Sequence, residues 1–149
     1  MSAKKILPPT YLLAALALMV ALHFLLPGPR LLSGLFTLLG LVPLLAGVAI
    51  NLVADGAFKR LGTTVKPGEE STTLVTTGVF RLSRNPMYLG FVLVLVGVAL
   101  QLGALTPWIV VLAFVVLMDV LFIRPEEDML EETFGQAFLD YKRRTRRWL

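Results

Sequence analysis

The sequence predicts an all-α integral membrane protein: four transmembrane helices, a polar cytoplasmic loop and an amphipathic C-terminal helix. Three observations carry this. Only 16% of residues are charged, 56% are hydrophobic and the mean hydropathy is +0.78, whereas a soluble domain carries about a quarter charged residues. The polar residues are also segregated, with no charge from Leu31 to Ala54 or from Asn85 to Met118; uncharged apolar runs of about 18 residues or more read as membrane helices. Finally, the basic residues collect outside these runs, as the positive-inside bias of cytoplasmic segments requires. Residues 1–149 read as a single membrane domain. The absence of cysteine excludes disulfides and thiolate chemistry, and a lone His23 excludes a two-histidine metal site. The net charge of +4 lies outside the spans, so it speaks of topology rather than of nucleic acid.

In chain order, Met1 to Lys5 is a short basic tip, and the first span covers about 6–26. A secretory signal is the weaker reading, because no clean small-x-small cleavage site precedes Pro27 and a second span follows at once. His23 reads as a histidine at a helix end. After the Pro27-Gly28-Pro29 turn, the second span covers about 31–53. Its Gly40 and Gly47 are seven apart, on one face, where small residues let helices approach closely. Asn51 and Asp55 share a face at the exit; they cap the helix end or floor a polar pocket.

The connection from Asp55 to Arg84 holds Lys59, Arg60, Lys66, Arg81 and Arg84, which makes it cytoplasmic, with both termini on the same side. Pro67-Gly68-Glu69-Glu70-Ser71 is a turn and Thr72 to Val75 is extended. A connection this long in a compact domain is usually functional. The third span, about 87–105, repeats the glycine spacing at Gly90 and Gly97. Thr106 as N-cap and Pro107 at the first helical position open the fourth span, about 107–123, with Trp108 at the far interface. This hairpin brings Asn85 near Arg124. Asp119, an acid inside a span, should face the bundle interior or a wet cavity. Pro125 should kink the helix as it leaves the membrane and aim Glu126 and Glu127 toward the loop. The C-terminal helix, 126–146, has Leu130, Phe134, Phe138 and Tyr141 as its apolar face. Lys142 to Arg147 reads as a basic end in contact with anionic lipid.

The stretch L-V-T-T-G-V-F-R-L-S-R-N-P-M-Y-L-G, Leu74 to Gly90, resembles the Thr-x-Gly-x-Tyr-x-x-x-Arg-His-Pro-x-Tyr-x-Gly signature of isoprenylcysteine carboxyl methyltransferases and their phospholipid methyltransferase relatives. The segment from Glu126 resembles that family's Glu-Glu-x-x-Leu-x-x-x-Phe-Gly-x-x-Tyr-x-x-Tyr-x-x-x-Val-x-Arg end. Together they cover about Gly62 to Leu149. The resemblance implies S-adenosylmethionine as methyl donor, wrapped by the loop 62–86 and the C-terminal helix. It places Thr73, Leu74 and Val75 against the donor through their backbone, and Phe80, Asn85, Pro86, Met87 and Tyr88 on its other side. Glu126 receives the donor's ammonium. Three positions depart from the pattern: Asn85 stands where many members have His, Phe80 and Phe138 replace tyrosines, and Phe122 occupies the place of a substrate-binding arginine. Arg124 lies two residues from that place.

The chemistry of the donor suits these residues. Its ammonium wants Glu126 or Glu127, and its carboxylate wants Arg81, Arg84 or backbone donors. Methyl transfer is an in-line displacement, so alignment and exclusion of water dominate. A carboxylate acceptor is nucleophilic without a base. An amine must first lose a proton, for which Glu127, Asp119, Asp55 or Tyr141 would serve. The expected activity is therefore a donor-dependent O-methyltransferase, most like the prenylcysteine carboxyl type, acting at the inner face of a bacterial inner membrane on a lipophilic acceptor that enters from the bilayer. Arg124, Glu127 and Tyr141 are its catalytic candidates, with no metal and no nucleic acid. The alternatives are an amine-directed phospholipid N-methyltransferase and a non-enzymatic four-span protein or transporter.

Overall fold

A computed structural model describes residues 7–62 and 73–149. The basic tip, Lys66, the Pro67 to Ser71 turn and Thr72 lie outside the described residues. Six α-helices account for most of what is described: α1 (Pro8–Leu25), α2 (Leu41–Leu61), α3 (Pro86–Leu102), α4 (Thr106–Met118), α5 (Arg124–Phe134) and α6 (Gln136–Arg144). Prolines open α1, α3, α4 and α5, where the missing N–H has no partner to lose.

Among the described residues, three helical stretches are long and apolar enough to cross a membrane: Pro8–Leu25, Gly34–Leu61 and Thr106–Phe134. The Pro86–Leu102 helix is apolar but has 17 residues, about 26 Å at 1.5 Å per residue, short of a hydrocarbon core of roughly 30 Å. The second stretch differs from the expected 31–53. It winds first as a 3₁₀ helix, Gly34–Gly40, ahead of Pro43, which has no N–H to continue an α ladder. It then runs on to Leu61 and ends at Gly62 in the left-handed conformation (φ 62°).

Buried α3 lies between α2 on one side and α4 and α1 on the other. The two glycine pairs explain how closely it sits. A Cβ on Gly97 would lie 2.6 Å from the Gly40 carbonyl oxygen, and one on Gly90 would lie 2.8 Å from the Gly47 carbonyl oxygen. The sevenfold spacings on α2 and α3 interlock, backbone against backbone. On the other flank, Ala15 and Met19 of α1 pack with Phe91, Leu95 and Ala99 of α3 and with Val110, Val111, Phe114 and Met118 of α4. The outward faces of α1, α2 and α4 carry exposed Leu, Val and Ile, as lipid-facing surfaces do.

The end of the bundle away from the loop is tied by main-chain bonds. Leu31 N–H donates to the Gly103 carbonyl at 2.8 Å and Leu105 N–H to the Pro29 carbonyl at 3.0 Å. The Thr106 hydroxyl does not cap its helix; it donates to the Leu26 carbonyl at 2.6 Å.

Where α4 leaves the apolar layer, Asp119–Ile123 widens into a π turn, and the Arg124 N–H reaches back five residues to the Asp119 carbonyl. Pro125 gives the cause. It cannot donate to the preceding turn and its ring crowds that turn's carbonyl, so the ladder widens just before it. The stretch expected as one helix over 126–146 is two. Gly135 takes φ 52° and ψ −123°, closing α5 and opening α6. This folds α6 back so that Phe138 and Tyr141 bury with Ala54, Val75 and Phe80. Leu130 and Phe134 pack on the same cluster, so the expected apolar face of the tail is the face in use.

Candidate active site between the loop and the C-terminal helices

The loop reaches α3 through a short 3₁₀ helix, Gly78–Arg81, and then Ser83, Arg84 and Asn85. Asn85 is the N-cap residue of α3, and Tyr88 stands in the first turn. Across from it, α5 presents Glu126. The Tyr88 hydroxyl donates to Glu126 Oε1 at 2.8 Å. The ring of Tyr88 stacks on Phe122 (6.1 Å between centroids, 28° between planes), and Tyr11 of α1 meets Phe122 edge-on at 5.5 Å. The two motif halves are thus brought to one place, from positions 38 residues apart in sequence.

Beside this pair lies a chain of charges. Arg84 donates from Nε and Nη2 to Glu127 Oε1, at 3.1 and 2.9 Å. Arg147 donates from Nη2 to Glu127 Oε2 at 2.7 Å and from Nε to Oε1 at 3.3 Å. Its remaining Nη1 bonds Asp119 Oδ1 at 3.2 Å, and Asp119 Oδ2 takes Arg124 Nε at 2.7 Å. The alternation Arg84, Glu127, Arg147, Asp119, Arg124 gives every acid two bases. Hydrogen bonding to Glu127, the largest influence, raises the pKa of Arg147 above the usual arginine value. Glu127 is 3% exposed, and such a charge is tolerable only when enclosed by partners.

The main chain completes the joint. The Arg84 N–H donates to the Arg146 carbonyl at 2.9 Å, and Arg84 Nη1 to the carbonyls of Thr145 (2.6 Å) and Lys142 (3.2 Å). The Ser83 hydroxyl and Asn85 Nδ2 each donate to the Arg147 carbonyl at 3.1 Å.

The expected site residues fall into two groups. Leu74, Val75, Phe80 and Met87 join the apolar cluster with α6. Asn85, Pro86 and Tyr88 gather at the mouth of α3, with Glu126 opposite. Thr73 is exposed at the edge of the loop. Four of the expected site residues have partners within the protein. Arg84, named with Arg81 and backbone donors as a partner for the donor's carboxylate, directs its guanidinium to Glu127 and two carbonyls. Glu127, a catalytic candidate, is held by two guanidinium groups. The Tyr141 hydroxyl, also a candidate, donates to the Phe80 carbonyl at 2.6 Å, and burial pushes its pKa up. Arg124 keeps an exposed side chain, but its Nε is committed to Asp119. Arg147 and Ser83 went unrecognised in the sequence. Arg147 sits in a run of bases that reads as lipid contact, and its place as the last residue of the second motif was its one distinguishing signal.

Half the chain and more matches a family model. The model for the phospholipid methyltransferase family covers residues 35–137, which include the loop, α3, α4 and α5. An uncharacterized protein of Haemophilus influenzae is 38% identical over 63 residues, 42% of this chain and all of that protein. A solved structure of a eukaryotic intramembrane Ras methyltransferase, isoprenylcysteine carboxyl methyltransferase, shares the fold with a TM-score of 0.71 at 22% identity. The likeness covers 95% of this chain and 51% of that one, so the chain spans about half its length.

Proposed function

The chain belongs to the phospholipid methyltransferase family of integral membrane proteins, and from that premise we propose that it transfers a methyl group from S-adenosylmethionine to a lipophilic acceptor at the cytoplasmic face of a bacterial inner membrane. In this reading α3 is the fourth crossing helix, and both termini lie with the basic loop. The observation that carries the proposal is the Tyr88–Glu126 hydrogen bond. It joins the loop motif to the C-terminal motif at the polar end of the bundle, where a ligand touching both would sit.

The residues present suit the donor. Glu126 uses Oε1 on Tyr88, and no hydrogen bond among the described residues uses its Oε2, which leaves an acceptor for an ammonium group. No hydrogen bond among the described residues uses the backbone N–H groups of Leu74 and Val75, which suits a ligand held through main chain. Arg81, exposed at the loop, remains for the donor's carboxylate in place of Arg84. When bound, the donor supplies an electrophilic methyl on a sulfonium. The protein's part is alignment and the exclusion of water by the Tyr11, Tyr88 and Phe122 rings.

The site favours an acceptor that needs no base. The four groups named from the sequence as candidate bases all have other work. Glu127 and Asp119 are each paired with two arginines, Tyr141 donates to Phe80, and Asp55 pairs with Lys59. A carboxylate attacks the methyl directly, forming an ester bond as the carbon–sulfur bond breaks. An acid of the prenylcysteine type, the substrate class after which the solved protein of the same fold is named, has this chemistry. The family's own name favours a second reading, N-methylation of a phospholipid amine.

Titration of the protein in nanodiscs with S-adenosylmethionine tests the first step; absence of binding sinks the proposal. Tritiated methyl transfer to a farnesylcysteine analogue or to phosphatidylethanolamine separates the acceptors. A base-labile label marks the ester, and a base-stable one marks the amine product.

A further inference from the structure

Arg147 acts on the site twice, once through its side chain and once through its carbonyl. The side chain bridges Glu127 on α5 to Asp119 in the π turn. The carbonyl accepts from both Ser83 and Asn85 on the loop. A carbonyl can only accept, so the nitrogen of the Asn85 amide must face it and the oxygen must turn the other way. Ser83 tightens the arrangement, since its hydroxyl also accepts from the Asn85 N–H at 3.1 Å. Two more main-chain acceptors in the same segment, at Thr145 and Arg146, are taken by Arg84.

We propose that Arg147 is a positioning residue of the donor site: its bridge between Glu127 and Asp119 fixes the strap Thr145–Arg147, and the strap presents the Asn85 side-chain oxygen to a ligand that donates an N–H. The inference rests on the proposed function and adds to it a selectivity. At Asn85 the site recognises a hydrogen-bond donor, such as the amino groups that S-adenosylmethionine carries, rather than an anion. It also registers two walls with one residue, because Glu126 adjoins the Glu127 that Arg147 grips, and Asn85 immediately precedes the helix that carries Tyr88.

The removal of this side chain should be survivable. Without it, Glu127 keeps Arg84 and Asp119 keeps Arg124, so neither acid is left bare. A double-mutant cycle therefore reads the coupling. The dissociation constant for S-adenosylmethionine is measured by titration in nanodiscs for wild type, Arg147→Met, Asn85→Ala and the pair, with melting temperature alongside. The Arg147→Met variant should weaken binding about tenfold and Asn85→Ala by a similar factor, while the pair should be no worse than about twofold beyond Asn85→Ala alone. Arg147→Lys keeps the charge without the fork and should fall between wild type and Arg147→Met. Independent effects that multiply to about a hundredfold would overturn the coupling, as would unchanged affinity in Arg147→Met. Should Arg147→Met not fold, the same cycle with Arg147→Lys decides; should neither fold, Arg147 is a fold residue and the inference is wrong. A wild type that binds no donor removes the functional reading and this one together, whereas a wild type that binds beside an unaffected Arg147→Met removes only this one.

Discussion

The substitution Glu127→Gln tests whether the charge chain holds the C-terminal helices to the loop. Glu127 is 3% exposed and its carboxylate accepts four N–H bonds, two from each guanidinium. Glutamine keeps the shape but offers one accepting oxygen and turns an NH₂ toward a group that also only donates. The guanidinium of Arg84, with a side chain 9% exposed, then lacks a counter-charge. Breaking one side of a buried pair costs about 3–5 kcal/mol. The lower end is expected here, because Arg84 keeps the Thr145 and Lys142 carbonyls and Arg147, with a side chain 34% exposed, keeps Asp119. About 3 kcal/mol corresponds to a fall of roughly 6–12 °C in melting temperature for a chain of this size. Thermal melts in one detergent, followed by circular dichroism, give the number. Asp140→Asn serves as the control; its pair with Arg143 is exposed, and its melting temperature should not move. A Glu127→Gln shift as small as that of the control would refute the idea that burial makes this network matter.

Other perturbations probe the site and the packing separately. Glu126→Gln should weaken S-adenosylmethionine binding by about 1.5–3 kcal/mol, roughly 10- to 150-fold in Kd, through loss of a charge-assisted contact; titration with unchanged affinity would show the acid to be misassigned. Tyr88→Phe removes the hydroxyl that holds Glu126 and keeps the ring, so binding should fall by less than in Glu126→Gln while the melting temperature moves little; a larger loss than in Glu126→Gln would contradict that order. Gly97→Val should cost about 1–3 kcal/mol or more, because its Cβ alone would meet the Gly40 carbonyl and Leu44 at 2.6 Å. Gly56→Ala, also helical but with nothing within 4 Å, should raise the melting temperature slightly through helix propensity, and the contrast between the two glycines is the readout.

The legible parts of this protein are those set by neighbours in sequence. Uncharged runs marked the apolar helices, and the seven-residue glycine spacings at Gly40, Gly47, Gly90 and Gly97 marked the faces that interlock. Leu130, Phe134, Phe138 and Tyr141 marked the apolar face of the tail even though Gly135 splits it into two helices, because a break that leaves both halves amphipathic leaves their periodicity in place. The motifs alone were enough to bring Tyr88 and Glu126 together. What the sequence hid were partnerships whose members are dozens of residues apart. Apart from its place at the end of the second motif, Arg147 looks like Arg143, Arg144 and Arg146, yet it is the one that closes on Glu127 and Asp119. Arg143 instead pairs with Asp140 on its own helix. Arg84 shows the same limit from the other direction. A base beside a ligand loop invites assignment to the ligand, but the acids of α5 compete for it, and a contact inside the protein is formed at no cost in ligand entropy. In a bundle with few charges, each buried acid captures the nearest guanidinium groups first. The groups left for a ligand are then those whose internal partners use only half of them: Glu126, with one oxygen on Tyr88, and Asn85, with its nitrogen on the Arg147 carbonyl.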